Sequence, residues 1–464
     1  MRAGRTLGLA LAGLAGCTSL APPFERPAAP VAATFPQSTG TPAATPAASI
    51  AWQRFYAADP VLEGLITQAL EANRDLRIAV LAIEQARAQW LVQRADQVPG
   101  LNASILASRQ TNASGGITDA YLAGLSVPSF ELDFFGRVAN LTDAARARLL
   151  ATEEASRTVR IVLVASVASA YLALRADDEA LALTLRTLAS REDSLRLIRL
   201  RLDNGVASAI DVAQAATLVE GARVAHAALK RQKAQDENLL VLLVGQPLAF
   251  PLAAAPSLEQ LDSGAELPAG LPSELLANRP DIRQAEQQLR AANANIGAAR
   301  AAFFPRITLT ASAGVASGDL LELFKPGTLA WAISPQLVLP IFDGGRNQAN
   351  LDAAQAQQGI AIAQYERAIQ TAFREVADAL AGRATYREQL EAQLAQVRAE
   401  SARAQLAALR YDSGIASYLD VLDAQRALFV AQLAAVQLRQ ALLQNHVTMY
   451  KVLGGGDARA ARPE

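Results

Sequence analysis

The side chains that most often carry enzymatic or metal chemistry are scarce in this chain of 464 residues. It contains two histidines, His226 and His446, and a single cysteine, Cys17. A zinc site, a cysteine nucleophile or a histidine-based triad needs more such residues than the chain supplies. Glycines 454–456 are followed by no Walker-type lysine and are typical of a helix stop, so no phosphate loop is predicted. We therefore expect no enzymatic activity, no metal site and no cofactor.

Cys17 has the surroundings of an acylation site. Arg2 and Arg5 precede an apolar run that ends in Leu14-Ala15-Gly16-Cys17, a pattern typical of a secretory signal with a small-residue cleavage site. The four residues resemble the bacterial lipobox, which predicts a covalent N-acyl diacylglycerol lipid on Cys17. Thr18 stands where aspartate usually retains lipoproteins at the inner membrane, so the outer membrane is the expected location. The alternative is an ordinary signal peptide with an incidental cysteine.

Charge and hydropathy narrow the possible partners. The formal net charge is -1 and no block of like charge occurs, so no nucleic-acid partner is expected. After the signal, no run of about twenty apolar residues follows, the length that a membrane-spanning helix needs. Any membrane crossing is therefore predicted to use strands.

The chain is a tandem duplication. The turn Asn204-Gly205-Val206-Ala207-Ser208 returns as Ser413-Gly414-Ile415-Ala416-Ser417, and three further short motifs recur at nearly the same offset. We divide the chain into a lipoprotein signal peptide (1–16), a lipidated N-terminal linker (17–50), a first repeat (51–246), an inter-repeat linker (247–274), a second repeat (275–455) and a C-terminal tail (456–464). A repeat of this kind favours assembly over catalysis.

Each repeat contains a predicted long helical hairpin. Proline-free stretches run from residue 137 to 203 and from 346 to 412, about 100 Å of helix each at 1.5 Å per residue. A seven-residue stripe, which indicates coiled-coil packing, is formed by Val167, Leu174, Leu181, Leu188, Leu195 and Leu202. Gly205 and Gly414 suit the end of a helix, and Ser208 and Ser417 suit the start of the next. The repeated turn is thus the tip of a hairpin.

Each repeat also contains two predicted strands, at 101–109 and 120–132 and then at 306–316 and 330–339. The alternation of apolar and small polar residues, clearest at 307–315, predicts one apolar and one polar face. Four strands cannot close a membrane barrel, because lipid does not tolerate open edges and single-chain barrels need about eight strands. Either the strands are soluble or several chains share one barrel. Three chains would supply twelve strands.

Several long motifs resemble the TolC-like outer-membrane factor family, and within it the lipoprotein (NodT-type) branch that serves resistance-nodulation-division efflux pumps. The motifs occur in the family's order within residues 50–455: Ala-Asn-Arg-Pro-Asp-Ile at 277–282, Ala-Asn-Ala-Asn-Ile-Gly at 292–297, Pro-Ile-Phe-Asp-Gly-Gly-Arg at 340–346 and Arg-Tyr-Asp-Ser-Gly-Ile-Ala-Ser-Tyr-Leu-Asp-Val at 410–421. The resemblance implies a mainly helical chain with membrane β-structure. Three such chains would form a twelve-stranded outer-membrane barrel, continued by a long helical barrel across the periplasm.

The resemblance also implies a function and partners. The homotrimer would be the exit channel of a tripartite efflux system, joined by a periplasmic adaptor protein to an inner-membrane pump of the resistance-nodulation-division class. It would export drugs or other small molecules. Alternatives are a duct for type I protein secretion, within the same fold, and a lipid-anchored periplasmic coiled-coil scaffold without a channel.

Matching the family's functional positions onto this chain gives two candidate sites. The periplasmic gate falls on Tyr411, Leu419, Asp423 and Arg426. Asp423 and Arg426 are three residues apart on one helix face, where they could pair with each other or with a neighbouring chain. The first repeat has Gln214 and Thr217 at the positions of Asp423 and Arg426, so the gate would belong to the second repeat alone. The adaptor contact falls on the tips: Gly205, Val206, Ala207, Ser208, Gly414, Ile415, Ala416 and Ser417.

Overall fold

The computed structural model of the chain describes residues 19–36, 50–111, 115–248, 256–261, 267, 276 and 278–455. Cys17, the signal peptide and the C-terminal tail lie outside the described residues. Among those that are described, helices dominate and the strands form one sheet. The predicted fold class, mainly α with a small β-structure built from a tandem repeat, is confirmed.

From the helix that leads into the sheet onward, the two repeats contain the same succession of a helix, two strands and two long helices; two further helices precede it in the first repeat. In the first repeat these are α1 (Trp52–Phe55), α2 (Pro60–Ala72), α3 (Arg74–Ala95), β1 (Asn102–Thr111), β2 (Ile117–Glu131), α4 (Arg137–Asp203) and α5 (Ala209–Val244). In the second they are α6 (Pro280–Ala301), β3 (Arg306–Ser317), a 3-10 turn (Leu320–Glu322), β4 (Leu329–Val338), α7 (Arg346–Asp412) and α8 (Tyr418–Val452). Both α4 and α7 have 67 residues and the predicted bounds. The strands begin and end within three residues of the predicted positions.

The strands form one antiparallel sheet in the order β1-β2-β3-β4. Residues paired across the sheet share a face, and successive rows alternate in character. One row is apolar and consists of Ala103, Leu125, Ala313 and Trp331. The adjacent row, on the opposite face, is small and mostly polar and consists of Asn102, Ser126, Ser312 and Ala332. The two faces that the alternation predicts are therefore present.

Two local features shape the middle of the sheet. The β2–β3 register shifts between Val127 and Phe130, where Pro128 lacks the N–H that a regular ladder would need. Gly124 pairs with Gly314, and a Cβ added at either position would overlap the opposite backbone. The sheet can bring β2 and β3 this close only because both residues are glycine.

The sheet ends at two strands, β1 and β4, that pair on one side only within the described residues. Large apolar side chains stand in the open, including Ile105 at 83% and Trp331 at 71% exposure. An exposed apolar face with open edges is an incomplete surface, because both features are normally covered in a folded protein.

The chain forms two compact units, each built from both repeats. One, here called the sheet unit, consists of residues 1–30, 80–155 and 281–368; the other, the tip unit, consists of 31–79, 156–280 and 369–464. In the sheet unit, α4 packs on α6 through alanines, among them Ala144 and Ala291. Small side chains allow helices to approach closely, which explains the alanine-rich composition of these segments.

The two helices that lead into the sheet differ in burial. Helix α3 has no buried residue and exposes Ile78 and Val92 by 64% and 70%. Helix α6, its counterpart in the second repeat, buries Ile282, Leu289 and Ile296 to 1–2% exposure. Within one chain, the apolar side chains of α6 are therefore buried, and those of α3 remain exposed.

The seven-residue stripe of α4 is packed along its length. Val167, Leu174 and Leu195 are buried, and the other three members are half-buried. By length and composition alone, one stretch of helix α4 is apolar enough to cross a membrane. Because 61% of that stretch is buried inside the protein, packing in the core accounts for its composition.

The N-terminal segment is extended, as expected, but it lies against helix α6. Residues 19–26 make hydrogen bonds and ion pairs with α6 and with the first turn of α4. Proline and alanine explain why the segment has no secondary structure of its own. Composition alone did not predict that it would dock.

Candidate functional site

The hairpin tips of the tip unit share one turn geometry. In the first tip, the Gly205 N–H donates to the Leu202 carbonyl and the Val206 N–H to the Arg201 carbonyl, both at 2.9 Å. In the second, Gly414 and Ile415 donate to Tyr411 and Arg410, also at 2.9 Å. Gly205 and Gly414 have φ angles of 74° and 72°. This pair of bonds around a left-handed glycine is the Schellman ending of a helix, as the sequence predicts.

A serine and an aspartate begin each return helix. The Ser208 backbone N–H and hydroxyl both lie against Asp211 Oδ2, at 2.8 and 2.7 Å. In the second tip, the matching distances from Ser417 to Asp420 are 3.2 and 3.3 Å. Both are capping boxes, which satisfy N–H groups that have no partner inside the helix. The second cap is the looser of the two.

The tips present apolar side chains to solvent. Val206 is 72% exposed and Ile415 is 70% exposed, while Ala207 and Ala416 are half-buried. The other predicted contact residues, Gly205, Ser208, Gly414 and Ser417, are exposed. The turn of each tip therefore presents a protruding apolar side chain beside small residues, which is a surface that another helix could approach closely.

A shared core joins the two hairpins behind their tips. Helices α4, α5 and α8 contribute buried residues, and Tyr411 of α7 packs against them. The buried members are Leu195, Ile198, Ala215, Leu218, Val219, Tyr418, Val421 and Leu422. The rings of Tyr411 and Tyr418 lie 5.2 Å apart. Burial, together with Tyr411 and Asp211 nearby, raises the pKa of Tyr418 to about 12.

Arg201 links the first hairpin to the second. Its guanidinium lies 3.0 Å from Asp412 Oδ1 and 4.7 Å from the centre of the Tyr411 ring. The charge and the ring both attract the same cation. Arg201 was not among the predicted site residues, because its partners come from a helix about two hundred residues later.

The predicted gate residues lie near the second tip but do not all contact one another. Leu419 is 58% exposed, and Tyr411 is half-buried in the shared core. The Asp423 carboxylate pairs with Arg403 of α7, which also contacts Glu400 at 3.2 Å. The local pair between Asp423 and Arg426 is therefore not formed. Arg426 is exposed and makes no ion pair within the described residues.

Arg191 is a buried cation in the same region. It is 6% exposed, its Nη1 donates to the Leu218 carbonyl at 3.0 Å, and it lies 5.0 Å from the centre of the Phe429 ring. Burial and the nearby charge of Arg426 lower its pKa. Arg191 holds α5 and α8 against α4 without a carboxylate partner in the described part of the chain.

No group of three or more histidine, cysteine or acidic side chains with the arrangement of a metal site occurs among the described residues. What the tip unit provides instead is a pair of matched turns, an exposed apolar residue at each, and a set of arginine–carboxylate contacts between helices. The exposed turns suit the docking of another helix, and the contacts between helices suit movement of one helix relative to its neighbour.

Comparison with known proteins identifies the family. The sequence model of the outer membrane efflux protein family matches residues 65–246 and 271–455. Two Pseudomonas putida proteins, the toluene efflux pump outer membrane protein TtgC and the antibiotic efflux pump outer membrane protein ArpC, are 48% identical over 457 residues, with 96% of this chain and 93% of each relative covered. The chain belongs to the outer membrane efflux protein family.

Solved structures agree with this assignment. The open-state MtrE outer membrane channel of Neisseria gonorrhoeae is 40% identical, with a TM-score of 0.87 over 95% of this chain and 98% of MtrE. The chain is thus an outer-membrane efflux channel protein, and the predicted family, location and general function are confirmed. The strands are the part of the chain that crosses the outer membrane, and the hairpins extend into the periplasm.

Proposed function

We propose that three copies of this chain form the exit channel of a tripartite efflux pump. The observation that carries the proposal is the open sheet, with one apolar face and an unpaired edge on both β1 and β4 within the described residues. In lipid, each edge must find a partner. Pairing β4 of one copy with β1 of the next satisfies both edges, and three copies of four strands reach a size at which barrels close.

An adaptor protein and an inner-membrane pump of the resistance-nodulation-division class complete the assembly. The adaptor docks at the tips, where Val206 and Ile415 protrude beside half-buried alanines. Six such tips would face the adaptor in a trimer. The relatives are named for toluene and antibiotic efflux, and the cargo proposed here is likewise small molecules. These names favour efflux over type I protein secretion.

The gate lies at the second tip, where Leu419 and Asp423 face away from the packed core. Three Asp423 carboxylates around a three-fold axis would form an acidic ring that favours cations. Within the chain, Arg403 pairs with the Asp423 carboxylate and ties α8 to α7, so the ring would carry its full charge only when this contact opens. Closing and opening therefore depend on Arg403 as well as on the four residues matched from the family.

Cys17 carries the lipid anchor. The lipobox supplies the chemical signal that supports this proposal. Mass spectrometry of the mature N-terminus tests this directly, since an acylated cysteine has a defined added mass. A mature chain that begins elsewhere would contradict it.

Deletion of the gene tests the function. Loss should sensitise the cells to aromatic solvents and antibiotics, and resistance should return with the intact gene. Unchanged resistance, together with loss of a secreted protein, would favour the type I duct instead.

Planar-bilayer recording tests the gate. Asp423→Ala and Arg403→Ala should each raise single-channel conductance severalfold, because each removes the same contact between α7 and α8. Arg398→Ala, on the same helix α7 as Arg403, is the matched control. Conductance equal to the unmodified channel in both variants would contradict the gate.

A further inference from the structure

We propose that a cavity between the ends of the strands and the starts of the long helices binds the headgroup of a zwitterionic phospholipid, with the phosphate on Arg346 and the ammonium on Asp133. The cavity has a volume of about 330 Å³ and is lined from the segments 131–137, 301–307 and 338–347. It is here called the junction cavity. The inference uses the location of the strands in the outer membrane and adds a lipid partner to the channel proposed above.

The junction cavity lies at the periplasmic end of the strands. Helices α4 and α7 begin at Arg137 and Arg346, shortly after β2 and β4 end, and both lead to the hairpins that extend into the periplasm. The leaflet of an outer membrane that faces the periplasm consists of phospholipids. Their headgroups therefore lie at the depth of the cavity.

Contacts between distant segments build the wall of the junction cavity. The rings of Phe135 and Phe304 stack with their centres 4.7 Å apart, which joins the segment before α4 to the segment after α6. Asn347 of α7 donates from Nδ2 to the Ala302 carbonyl at 3.1 Å. The cavity is thus formed within one chain. Its volume is near the lower limit for small-molecule pockets, so it can admit a headgroup but not a whole lipid.

Charges of both signs line the junction cavity in equal number. They are the carboxylates of Glu131, Asp133 and Asp343 and the guanidinium groups of Arg137, Arg306 and Arg346. A simple anion would be repelled by the carboxylates as strongly as it is attracted by the arginines. A zwitterion can place each of its two charges against a group of the opposite sign. The charges of the wall therefore favour a zwitterionic ligand.

Four of these charged groups already have partners in the chain. Glu131 accepts hydrogen bonds from Arg137 at 2.8 and 2.7 Å, and it lies 2.7 Å from Arg306 Nε. The Asp343 carboxylate accepts from two backbone N–H groups at the start of α7, each at 2.9 Å. These contacts explain the residues as parts of the fold and leave two groups of the wall for a ligand.

Arg346 and Asp133 are these two groups. Arg346 is exposed and makes no ion pair within the part of the chain that the structure describes. Asp133 Oδ2 accepts from the Ala139 N–H at 2.7 Å, but its Oδ1 is buried and has no donor among the described residues. A buried carboxylate oxygen without a donor is costly. A guanidinium and a carboxylate oxygen on the wall of one cavity are what a phosphate and an ammonium group need.

Apolar side chains lie beside the junction cavity and suit the acyl chains of the same lipid. Ile341 and Phe342 stand in the chain between two residues of the wall and are 88% and 91% exposed. Phe134 and Phe304 of the wall are 37% and 42% exposed. Exposed apolar side chains of this size indicate contact with a partner, and aromatic residues collect at the interfaces of membrane barrels.

Native mass spectrometry of the purified full-length protein tests the junction cavity. The probe is dioctanoyl phosphatidylethanolamine in a mild detergent, and the bound fraction is measured at increasing lipid concentration. Arg346→Ala should weaken binding about tenfold, because a charge-assisted contact with the phosphate is lost. Arg367→Ala is the matched control, since Arg367 is also an exposed arginine of α7 but lies about six helical turns further on. Equal affinity in the two variants would overturn the site.

A comparison of two headgroups tests the ammonium contact. Dioctanoyl phosphatidylglycerol has a phosphate but no ammonium, so the unmodified protein should bind it about tenfold more weakly. Asp133→Asn should remove this preference, because the amide keeps an acceptor for the Ala139 N–H but carries no charge. Asp143→Asn, at an exposed aspartate of α4, is the control and should keep it. Equal binding of both lipids by the unmodified protein would overturn the zwitterionic ligand.

Inorganic phosphate distinguishes a lipid headgroup from a free anion. Phosphate at the concentration of the lipid should not displace phosphatidylethanolamine from the unmodified protein, and displacement would overturn the lipid as the ligand. Planar-bilayer recording of the unmodified protein reads the proposed channel separately. A conducting channel that binds no phosphatidylethanolamine would overturn the cavity and leave the proposed function standing. Lipid binding by a protein that forms no channel would do the reverse.

Discussion

Helices α3 and α6 are the corresponding helices of the two repeats, but only α6 has its apolar side chains buried within one chain. Helix α6 buries Ile282, Leu289 and Ile296 and packs against residues 19–26, whereas α3 has no buried residue. The sequences explain part of this difference, since α6 has Glu286 and Gly297 where α3 has Val80 and Leu91. The second repeat thus contributes a buried helix to the core of the chain, whereas the corresponding helix of the first repeat stays exposed.

An aspartate introduced among the apolar side chains of each helix should have the largest effect, and the effect should differ between the two helices. Ile296→Asp places a charge in a site that is 1% exposed and should cost about 3–5 kcal/mol, which is enough to prevent folding. Val92→Asp, at 70% exposure, should leave the chain folded but unable to form trimers. Circular dichroism and chemical crosslinking separate these outcomes. Normal trimers from Val92→Asp would mean that α3 is not an interface.

Removing the ion pair between Arg26 and Glu286 should have a smaller effect, confined to α6. Arg26→Ala leaves buried Glu286 with Arg290 alone and should lower the free energy of unfolding by about 1–3 kcal/mol. Val80→Ala, at the matching position of α3, should change it by less than about 0.5 kcal/mol. Thermal unfolding of both variants measures the difference. Equal losses would indicate that the two helices are alike in this respect.

The same pair gives a prediction for low pH. Burial alone would raise the pKa of Glu286, but hydrogen bonds from Arg26 and Arg290 hold it below its ordinary value of 4.5. The contribution of the ionised carboxylate is therefore present above pH 4.5 and lost as the pH falls through the lowered pKa. Arg26→Ala and the unmodified protein should approach equal stability there. A difference in stability between the two proteins that persists at low pH would mean that packing of Arg26, and not the charge of Glu286, causes the effect.

The carboxyl pair Asp177 and Asp236 should make stability depend on pH in the direction opposite to that of Glu286. Helix α7 has no carboxyl group at the position that matches Asp177. Burial and a hydrogen bond with Asp236 raise the pKa of Asp177 from 3.8 to about 7; the matching position of α7, 209 residues later, is Tyr386. Since neither carboxylate can donate, the pair needs a proton. Its contribution is complete below pH 3.8 and lost as the pH rises through about 7. Melting temperature should fall by a few degrees from about pH 5 to about pH 8, and Asp177→Asn should remove that fall.

The serine caps of the two tips should show the smallest difference in their contribution to stability. Ser208→Ala should cost about 1 kcal/mol, and Ser417→Ala a few tenths less, because the distances from Ser417 to Asp420 are longer by 0.4 and 0.6 Å than those from Ser208 to Asp211. Amide hydrogen exchange in the first turns of α5 and α8 measures this locally. Greater loss at Ser417 would reverse the ranking of the caps.

Much of the fold could be predicted because its determinants are local. The ends of α4 and α7 follow from Gly205 and Gly414, and the alternation at 307–315 gives strand β3. The side chains that meet across helices could not be predicted in this way. The partner of Asp423 is Arg403, on another helix, although Arg426 is closer in sequence. Likewise, composition marks residues 19–26 as extended but contains no sign that they lie against α6, where the Ala21 nitrogen comes close to Gly297.

The facing glycines of the sheet have a consequence for how the chain can evolve. Gly124 comes from the first repeat and Gly314 from the second, and each occupies the room that a side chain on the other would need. A single substitution at either residue would push β2 and β3 apart in the middle of the sheet. Each repeat must therefore keep its glycine here, although the hairpins and connecting helices of the two repeats have diverged.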